Sequence, residues 1–200
     1  MAKSLLESLG EKYRPSKRDH GYLPVYAQFL ELRRFCVLKF CEIGVETDCS
    51  IRMWEEYFPN ADEIIGVDIN PECKRFERGR VKILTGDQRD VNFLNSLPTG
   101  FDVIVDDGSH KPEHMLLGMR TLIPRMSKNG VYVVEHTLNY HELVFEFYNT
   151  ASRSVGWWGS NIAGIACYRY LTFLFKGMNP EEGEAHTRLK NPNFWRDITY

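Results

Sequence analysis

The chain has 200 residues, which is enough for one domain of ordinary size with its own hydrophobic core. Its 25 Lys and Arg residues and 27 Asp and Glu residues give a formal net charge of -2. This balance excludes the basic composition that is typical of proteins that bind nucleic acid or anionic membranes. A hydrophobic content of 43% indicates a folded protein, and we expect its partner to be a small molecule.

The cysteines and the N-terminal sequence indicate the compartment. The 5 cysteines form no C-x-x-C pair, and no apolar stretch of signal-peptide length follows Met1. No segment approaches the roughly 20 apolar residues that are needed to cross a bilayer. We therefore expect reduced thiols, no disulfide, no membrane span and a cytoplasmic protein.

Short apolar runs alternate with longer amphipathic segments, a pattern that predicts βαβ units and a largely parallel sheet. The fourth and fifth runs are rich in β-branched residues and end in carboxylates. A further apolar segment at residues 165–175 predicts a terminal strand or hairpin. The five strands predicted before it cover residues 35–42, 63–68, 81–85, 101–106 and 131–135.

Helices are predicted between these strands, and Ser50 is the expected N-cap of the first of them. The predicted helices cover residues 50–58, 90–97, 112–126 and 139–150. We expect an N-terminal helical cap at residues 1–34 and the main domain at residues 35–177. The polar segment 178–200 is expected to form a tail on the surface.

The loop after the first strand indicates which cofactor this sheet would bind. Asp68 follows Gly44 at about the 20-residue distance at which a carboxylate meets ribose hydroxyls. A dinucleotide would need several glycines around its pyrophosphate, but Gly44 stands alone beside Glu46 and Asp48. S-adenosylmethionine (SAM) carries a sulfonium cation and no phosphate, so an acidic loop is compatible with it. The alternative is that Gly44 forms only a strand-to-helix turn.

Acidic residues and histidines also follow the two strongest strands. Asp106, Asp107 and His110 end the fourth strand, and Glu135 and His136 end the fifth. If these strands are neighbours, the side chains converge on one crevice, where a cation would offset the repulsion between carboxylates. Carboxylates suit Mg²⁺, whereas coordination by His136 would favour manganese, iron or zinc.

A structural interpretation of the same residues remains open. Asp106 or Asp107 could cap the helix that begins near Pro112, and His136 could bind backbone groups of its loop. His114 is expected to have a supporting or structural role. Trp157 and Trp158 could form an aromatic wall for a substrate, although packing explains such a pair equally well.

Several motifs, in this order, resemble the macrolide sugar O-methyltransferases and the related cephalosporin hydroxylase-like proteins, a family of class I SAM-dependent methyltransferases. The likeness covers about residues 13–177, and Lys12, Tyr13, Lys17, His20 and Tyr22 resemble the family's N-terminal segment near the cofactor. The motifs are Glu42-Ile43-Gly44-Val45, Met53-Trp54, Tyr57-Phe58-Pro59, Gly66-Val67-Asp68-Ile69, Gly86-Asp87-Gln88, Asp106-Asp107-Gly108-Ser109-His110 and Val133-Val134-Glu135.

The resemblance implies an α/β, Rossmann-like fold with a mostly parallel seven-stranded sheet and helices on both faces. It implies that Gly44 lines the methionine end of SAM, that Asp68 binds the ribose, and that Asp87 and Gln88 lie by the adenine. It also implies a magnesium site and makes His110 the general base. The predicted cofactor contacts are Glu42, Gly44, Asp68, Asp87, Gln88 and Asp106, and the predicted metal ligands are Asp107, Glu135 and His136.

Two features depart from the family pattern. Asp48 and Cys49 replace glycine in the first loop, and His136 replaces an aspartate. The leading hypothesis is nevertheless metal-assisted O-methylation of a small-molecule hydroxyl, with His110 as general base. The alternatives are a non-catalytic SAM-binding protein and, less favoured by the acidic loop, an NAD-dependent oxidoreductase. A homo-oligomer is compatible with the sequence, which does not identify the methyl acceptor.

Overall fold

The computed structural model describes residues 3–137 and 162–177. Five parallel strands form the centre of the sheet: β1 (Lys39–Ile43), β2 (Glu63–Asp68), β3 (Val81–Thr85), β4 (Val103–Asp106) and β5 (Val131–Glu135). An antiparallel hairpin of β6 (Gly164–Cys167) and β7 (Leu171–Phe175) extends the sheet beyond β5. The strand order is β3-β2-β1-β4-β5-β7-β6. The expected mostly parallel, seven-stranded α/β fold is therefore confirmed.

Helices cover both faces of this sheet. Three N-terminal helices, α1 (Leu5–Tyr13), α2 (Ser16–Asp19) and α3 (Leu23–Leu30), pack with α4 (Cys49–Tyr57) on one face. The opposite face packs against α5 (Val91–Ser96) and α6 (Pro112–Leu122). Short 3₁₀ helices occupy Glu31–Arg33, Pro71–Phe76 and Ile123–Arg125.

The core has two halves because successive side chains of the central strands point to opposite faces of the sheet. In β5, Val131 and Val133 pack on the α4 side, whereas Tyr132 and Val134 pack on the α6 side. All four of these side chains are buried. Because successive strand residues point to opposite faces, an uninterrupted apolar run is needed where helices cover both faces.

The structure corrects three predicted boundaries. The first strand begins at Lys39 instead of residue 35, and Phe35 and Val37 are exposed. The helix α4 begins at Cys49 with Asp48 at the N-cap, so Ser50 is not the cap. The helix α6 ends before Pro124, because proline cannot donate the backbone hydrogen bond that the helix needs.

The remaining predicted elements agree more closely with the structure. Asp90 accepts a hydrogen bond from the Asn92 amide and caps α5, which was predicted with one further residue at each end. The terminal apolar segment forms the β6–β7 hairpin. The helix predicted at residues 139–150, the Trp157–Trp158 pair and the tail 178–200 lie outside the described residues.

Candidate active site

The candidate site lies at the carboxyl ends of β1, β4 and β5, where the chain order of the sheet reverses between β1 and β4. A crevice at such a point is where open α/β sheets bind ligands. Gly44 directly follows β1 with a φ of 93°, and a Cβ at this position would lie 2.1 Å from the carbonyl oxygen of Asp107. Glycine is therefore required here, because the loops after β1 and β4 touch through their backbones.

Asp68 organises the loop that follows Gly44. Its Oδ2 accepts hydrogen bonds from the amides of Val45 and Glu46, each at 2.9 Å, and its Oδ1 accepts one from Asn70 at 2.8 Å. These contacts use two loop amides that a pyrophosphate would otherwise need. The loop therefore disfavours a dinucleotide for a second reason, in addition to its missing glycines.

Two cavities meet at Gly44, Asp68 and Gly108. The first, of about 270 Å³, extends past Asp87 and Gln88 to His114. The second, of about 390 Å³, extends under the N-terminal helices and past Glu46 to the histidines. Its lining residues are Pro15, Ser16, Lys17, His20, Gly44, Val45, Glu46, Thr47, Ser50, Asp68, Asp107, Gly108, His110 and His136.

Asp87 and Gln88, the predicted adenine contacts, line the first cavity, and each is held by a different neighbouring residue. The pKa of Asp87 is lowered to about 2, mainly because the Arg89 guanidinium donates hydrogen bonds to its carboxylate. Gln88 is buried, and its amide oxygen accepts a hydrogen bond from the Ser109 backbone at 3.1 Å. Nearby, His114 Nδ1 lies 2.7 Å from the Ser109 hydroxyl, which suits the supporting role expected for His114.

Asp106 and Glu42, both predicted to contact the cofactor, line neither cavity. The Asp106 carboxylate is fully buried and accepts hydrogen bonds from Gln88 Nε2 at 2.7 Å and Tyr132 Oη at 2.8 Å. Glu42 is fully buried and accepts hydrogen bonds from the Ser50 hydroxyl and the Trp54 indole. The structure thus differs from the prediction, because both carboxylates lie behind the cavity wall and support residues there.

Asp107 is the centre of a cluster at the rim of the second cavity. His110 Nε2 lies 3.0 Å and His136 Nε2 lies 3.2 Å from its Oδ1. The potential ligand atoms of these three residues all lie within 4.8 Å of one another. The two imidazole rings lie 3.9 Å apart, and both histidines have positive φ values, of 56° and 61°. Such backbone conformations are costly for a non-glycine residue and are concentrated at functional sites.

The charges around Asp107 shift several pKa values. Burial opposes ionisation of Asp107, but Lys17 and the two imidazoles outweigh it and hold its pKa well below its usual value. The hydrogen bond to Asp107 raises the pKa of His110. Burial raises the pKa of Glu135 to about 8, although the Lys17 ammonium opposes this rise.

Glu135, the remaining predicted metal ligand, is fully buried. Its Oε1 accepts a hydrogen bond from Tyr26 at 2.6 Å and lies 3.3 Å from Lys17 Nζ. Its Oε2 has no hydrogen-bond partner within the described part of the chain. The structure therefore brings Asp107, His110 and His136 together directly, whereas Glu135 joins them through Lys17.

The donor set fits a divalent cation. Around the Lys17 ammonium stand the carboxyl groups of Glu42, Asp107 and Glu135, so one positive charge faces three groups that can each carry a negative charge. The unpartnered Glu135 oxygen and the Asp107 oxygen beside the histidines are ligands of the kind that divalent cations bind. Buried carboxylates are costly unless a cation or a proton balances them.

The sequence did not predict that Lys17 is buried among carboxylates in the candidate site. Its position in the N-terminal motif was noted, but a lysine on a short polar helix is ordinarily a surface residue. Tyr22 and His20 belong to the same motif, and both rings make edge-to-face contacts with His136. The available signal was the family likeness of this segment, which gave its place near the cofactor but not its contacts.

The sheet order, the crevice and the helices on both faces define the class I SAM-dependent methyltransferase fold. A solved structure of the MycE methyltransferase, in complex with Mg, SAH and mycinamycin VI, matches 90% of this chain and 55% of its own with a TM-score of 0.80 and 27% identity. No protein-family model matches the chain.

Two curated proteins show the same relationship in sequence. Mycinamicin VI 2''-O-methyltransferase of Micromonospora griseorubida is 27% identical over 82% of this chain and 50% of its own length. An 8-demethyl-8-alpha-L-rhamnosyl tetracenomycin-C 2'-O-methyltransferase of Streptomyces olivaceus is 34% identical over 58% of this chain and 33% of its own. The resemblance to the macrolide sugar O-methyltransferases is therefore confirmed, and the chain spans about half the length of the first of these relatives.

Among the described residues, no helix has the length and apolar content that a membrane span requires.

Proposed function

We propose that this chain is a SAM-dependent O-methyltransferase that acts on a hydroxyl of a sugar or another natural product, assisted by a divalent cation. The observation that carries the proposal is the junction of two cavities at Gly44, Asp68 and Gly108, with Asp107, His110 and His136 at the rim of one of them. This arrangement supports the proposal, because a crevice at the ends of the strands lies beside one carboxylate and two imidazoles that could hold a cation. The relatives support it, because they are named O-methyltransferases.

We assign the first cavity to the adenosine of SAM. Asp68 would bind the ribose with the lone pairs that its backbone contacts leave free, and Asp87 and Gln88 would lie along the adenine. Gly44 would leave room for the methionine part, which would extend into the second cavity. SAM, when bound, supplies the electrophilic methyl group on its sulfonium.

The acceptor hydroxyl would enter the second cavity beside Asp107. We propose Asp107, Glu135 and His136 as the ligands of a divalent cation, with Mg²⁺ favoured by the carboxylates and Mn²⁺, Fe²⁺ or Zn²⁺ by the imidazole. Such a cation lowers the pKa of a bound hydroxyl. The structure of MycE was determined with Mg and SAH, which supports both assignments.

His110 would take the proton from the acceptor hydroxyl. Its side chain is about half exposed at the cavity rim, so it can meet a substrate that arrives from solvent. Asp107 orients the ring through Nε2 at 3.0 Å and raises its pKa, which makes the neutral imidazole a stronger base. The Asp107 carboxylate would also stabilise the imidazolium that forms.

Binding and transfer can be tested separately. Calorimetric titration of the purified chain with S-adenosylhomocysteine should show binding, and NAD should show none. Incubation with methyl-labelled SAM and a panel of glycosylated macrolides, free sugars and phenols, with Mg²⁺ or Mn²⁺, should transfer label to at least one hydroxyl compound. Chelation with EDTA should suppress the transfer, and restored cation should return it.

Three results would count against the proposal. Binding of NAD in place of S-adenosylhomocysteine would indicate an oxidoreductase. Tight cofactor binding without transfer to any acceptor would favour a non-catalytic SAM-binding protein. Transfer that survives exhaustive chelation, with no metal found by elemental analysis, would remove the cation from the mechanism and leave the cluster a structural role.

A further inference from the structure

Lys17 is a buried lysine that takes no part in the proposed reaction. Its side chain is 1% exposed, although it lies on the four-residue helix α2. Its Nζ lies 3.1 Å from Asp107, 3.2 Å from Glu42 and 3.3 Å from Glu135. These three carboxylates come from the ends of three adjacent strands, β1, β4 and β5. One ammonium therefore bridges the centre of the sheet edge.

The surroundings keep this side chain charged. Burial opposes the charge of Lys17, but carboxylate oxygens of Glu42, Asp107 and Glu135 lie within 3.3 Å of its Nζ and stabilise the ammonium. A buried charge is tolerated only where opposite charges surround it closely, as they do here. Replacing the ammonium by an apolar group would leave three buried carboxylates without their common counter-ion.

Lys17 also determines which oxygen of Asp107 and which oxygen of Glu135 stays free of the ammonium. Asp107 directs Oδ2 to Lys17 and so presents Oδ1 to the two histidines. Glu135 directs Oε1 to Lys17 and to Tyr26, so its Oε2 is the oxygen without a partner. The ammonium thus fixes the rotation of both carboxylates while leaving one oxygen of each for another ligand.

The same contacts attach the N-terminal cap, which we define as α1–α3, Leu5–Leu30. Buried leucines of the cap, including Leu6, Leu9 and Leu30, pack on the α4 side of the core. Tyr26 of the cap donates to Glu135, and Lys17 adds the ionic contacts. Because Pro15, Ser16, Lys17 and His20 line the second cavity, the position of the cap determines the shape of that cavity.

We propose that Lys17 is a positioning residue that acts as a built-in counter-ion. It orients Asp107 and Glu135 and holds the cap on the sheet before any cation binds, and its positive charge weakens the affinity of the site for that cation. The statement about the cation rests on the proposed function, whereas the statement about the cap is independent of it.

The first experiment measures the cap in the presence of EDTA. We compare the full chain with Lys17→Met and with Lys12→Met, a matched control whose exposed ammonium pairs with Glu56 at the surface. Losing the counter-ion of a buried cluster should lower the melting temperature of Lys17→Met by roughly 6 to 20 °C. Lys12→Met should change it by less than about 2 °C. Trypsin should cleave within the cap, at Arg14 or Arg18, faster in Lys17→Met than in the control.

A double variant separates the charge of Lys17 from its packing. Lys17→Met with Glu42→Gln removes one positive and one negative charge, and Glu42 is not among the proposed metal ligands. If the charge is what matters, the double variant should recover at least half of the lost melting temperature. This comparison remains informative if Lys17→Met alone is too unstable to purify, because the double variant should then still fold.

The second experiment titrates each variant with MnCl₂ alone, by calorimetry. Removing a positive charge next to the ligands should tighten Mn²⁺ binding by at least about tenfold in Lys17→Met or in the double variant. Saturating Mn²⁺ should also raise the melting temperature of the Lys17 variants more than that of the wild type. A residue with only a structural role would leave Mn²⁺ affinity unchanged or reduce it.

The results distinguish the two proposals. A Lys17→Met protein as stable as the Lys12→Met control, or a double variant that recovers nothing, would overturn the role of Lys17 as counter-ion. Weaker Mn²⁺ binding in the Lys17 variants would overturn its effect on the cation. A wild type that binds neither Mn²⁺ nor S-adenosylhomocysteine would refute the proposed function instead, while the EDTA comparison would still decide whether Lys17 holds the cap.

Discussion

Asp106 and Asp107 are adjacent in sequence at the end of β4, and their side chains point to opposite faces of the sheet. Asp106 lies beside α6, where a Cβ added to Gly118 would approach its Oδ2 to 3.2 Å. Its carboxylate meets the neutral donors Gln88 and Tyr132. Asp107 lies on the cap side and meets Lys17 and two imidazoles.

The two environments move the two pKa values in opposite directions. Burial raises the pKa of Asp106 to about 6, and its hydrogen bonds only partly offset that rise. At Asp107 the neighbouring cations outweigh burial and lower the pKa well below its usual value. The comparison shows that burial alone does not decide the charge of a carboxylate, because the charge of its donors does. It also separates an aspartate with neutral donors from the one that we propose as a metal ligand.

The largest expected effect tests this comparison with the same substitution on both sides. Asp107→Asn should weaken the binding of Mn²⁺ by roughly 100-fold or more, because it removes a proposed ligand charge. Asp106→Asn should retain Mn²⁺ binding within about tenfold, since its side chain points to the other face. Calorimetric titration measures both. An equal loss of Mn²⁺ affinity in the two variants would show that the different environments of Asp106 and Asp107 do not affect cation binding.

The next effect concerns the base on the Asp107 side. His110→Ala should lower kcat by about 10²- to 10⁴-fold and leave the affinity for S-adenosylhomocysteine nearly unchanged. Because Asp107 raises the pKa of His110, wild-type turnover should rise with pH as the imidazole loses its proton, and the variant should lack this rise. At still higher pH, where the acceptor hydroxyl would ionise without a base, turnover of the variant should rise and the loss should shrink. Wild-type turnover of the variant at neutral pH would exclude His110 as the base.

The third prediction concerns Asp68, which lines both cavities. Asp68→Ala should weaken S-adenosylhomocysteine binding by about 1.5 to 3 kcal/mol, the value of hydrogen bonds to a charged group. Part of this loss would come from the amides of Val45 and Glu46, which lose their acceptor. Titration of the folded variant measures the effect, and an unchanged affinity would remove Asp68 from the ribose site.

The smallest effect is expected on the Asp106 side. Tyr132→Phe removes a donor to the buried carboxylate and should lower the free energy of unfolding by about 1 to 3 kcal/mol at pH 8. Since the pKa of Asp106 is raised from 3.8 to about 6, the folded protein keeps this proton in that interval. The free-energy cost of ionising the buried Asp106 is therefore absent at low pH and complete above about pH 6.

The loss in Tyr132→Phe should therefore be smaller at pH 5 than at pH 8. Urea unfolding at the two pH values, with the wild type measured alongside, gives the comparison. A loss that is equal at both values, or larger at pH 5, would show that Tyr132 contributes by packing alone.

The fold followed from the sequence because the signals that specify it are local. The β-branched runs that became β4 and β5, and the alternation of strands with helices, allow little else than a parallel sheet. Element ends were predicted less well. Phe35 and Val37 have the residue types of a strand, yet they lie outside the sheet because β1 pairs with β2 and β4 only from Lys39 and Phe40 onward.

The sequence predicted only part of the membership of the candidate site. The residues that end β1, β2, β4 and β5 were identified because strand ends meet at one edge of a parallel sheet. Their hydrogen-bond partners were not identified. Ser50 was expected to cap a helix, but its hydroxyl bonds to Glu42, since the tertiary fold brings that carboxylate to it. The direction of the pKa shift at His110 likewise depended on a distance to Asp107 that sequence spacing does not give.

The sequence by itself determined the class of fold, the edge of the sheet that carries the candidate site, and some of the residues that line it. These follow from periodicity and from the order of strand ends along the chain. Only the tertiary structure decided that Lys17 lies among three carboxylates and that Asp106 and Asp107 face opposite environments. The physical reason is that charge and burial depend on distances between residues far apart in sequence, which are fixed only when the cap packs on the sheet.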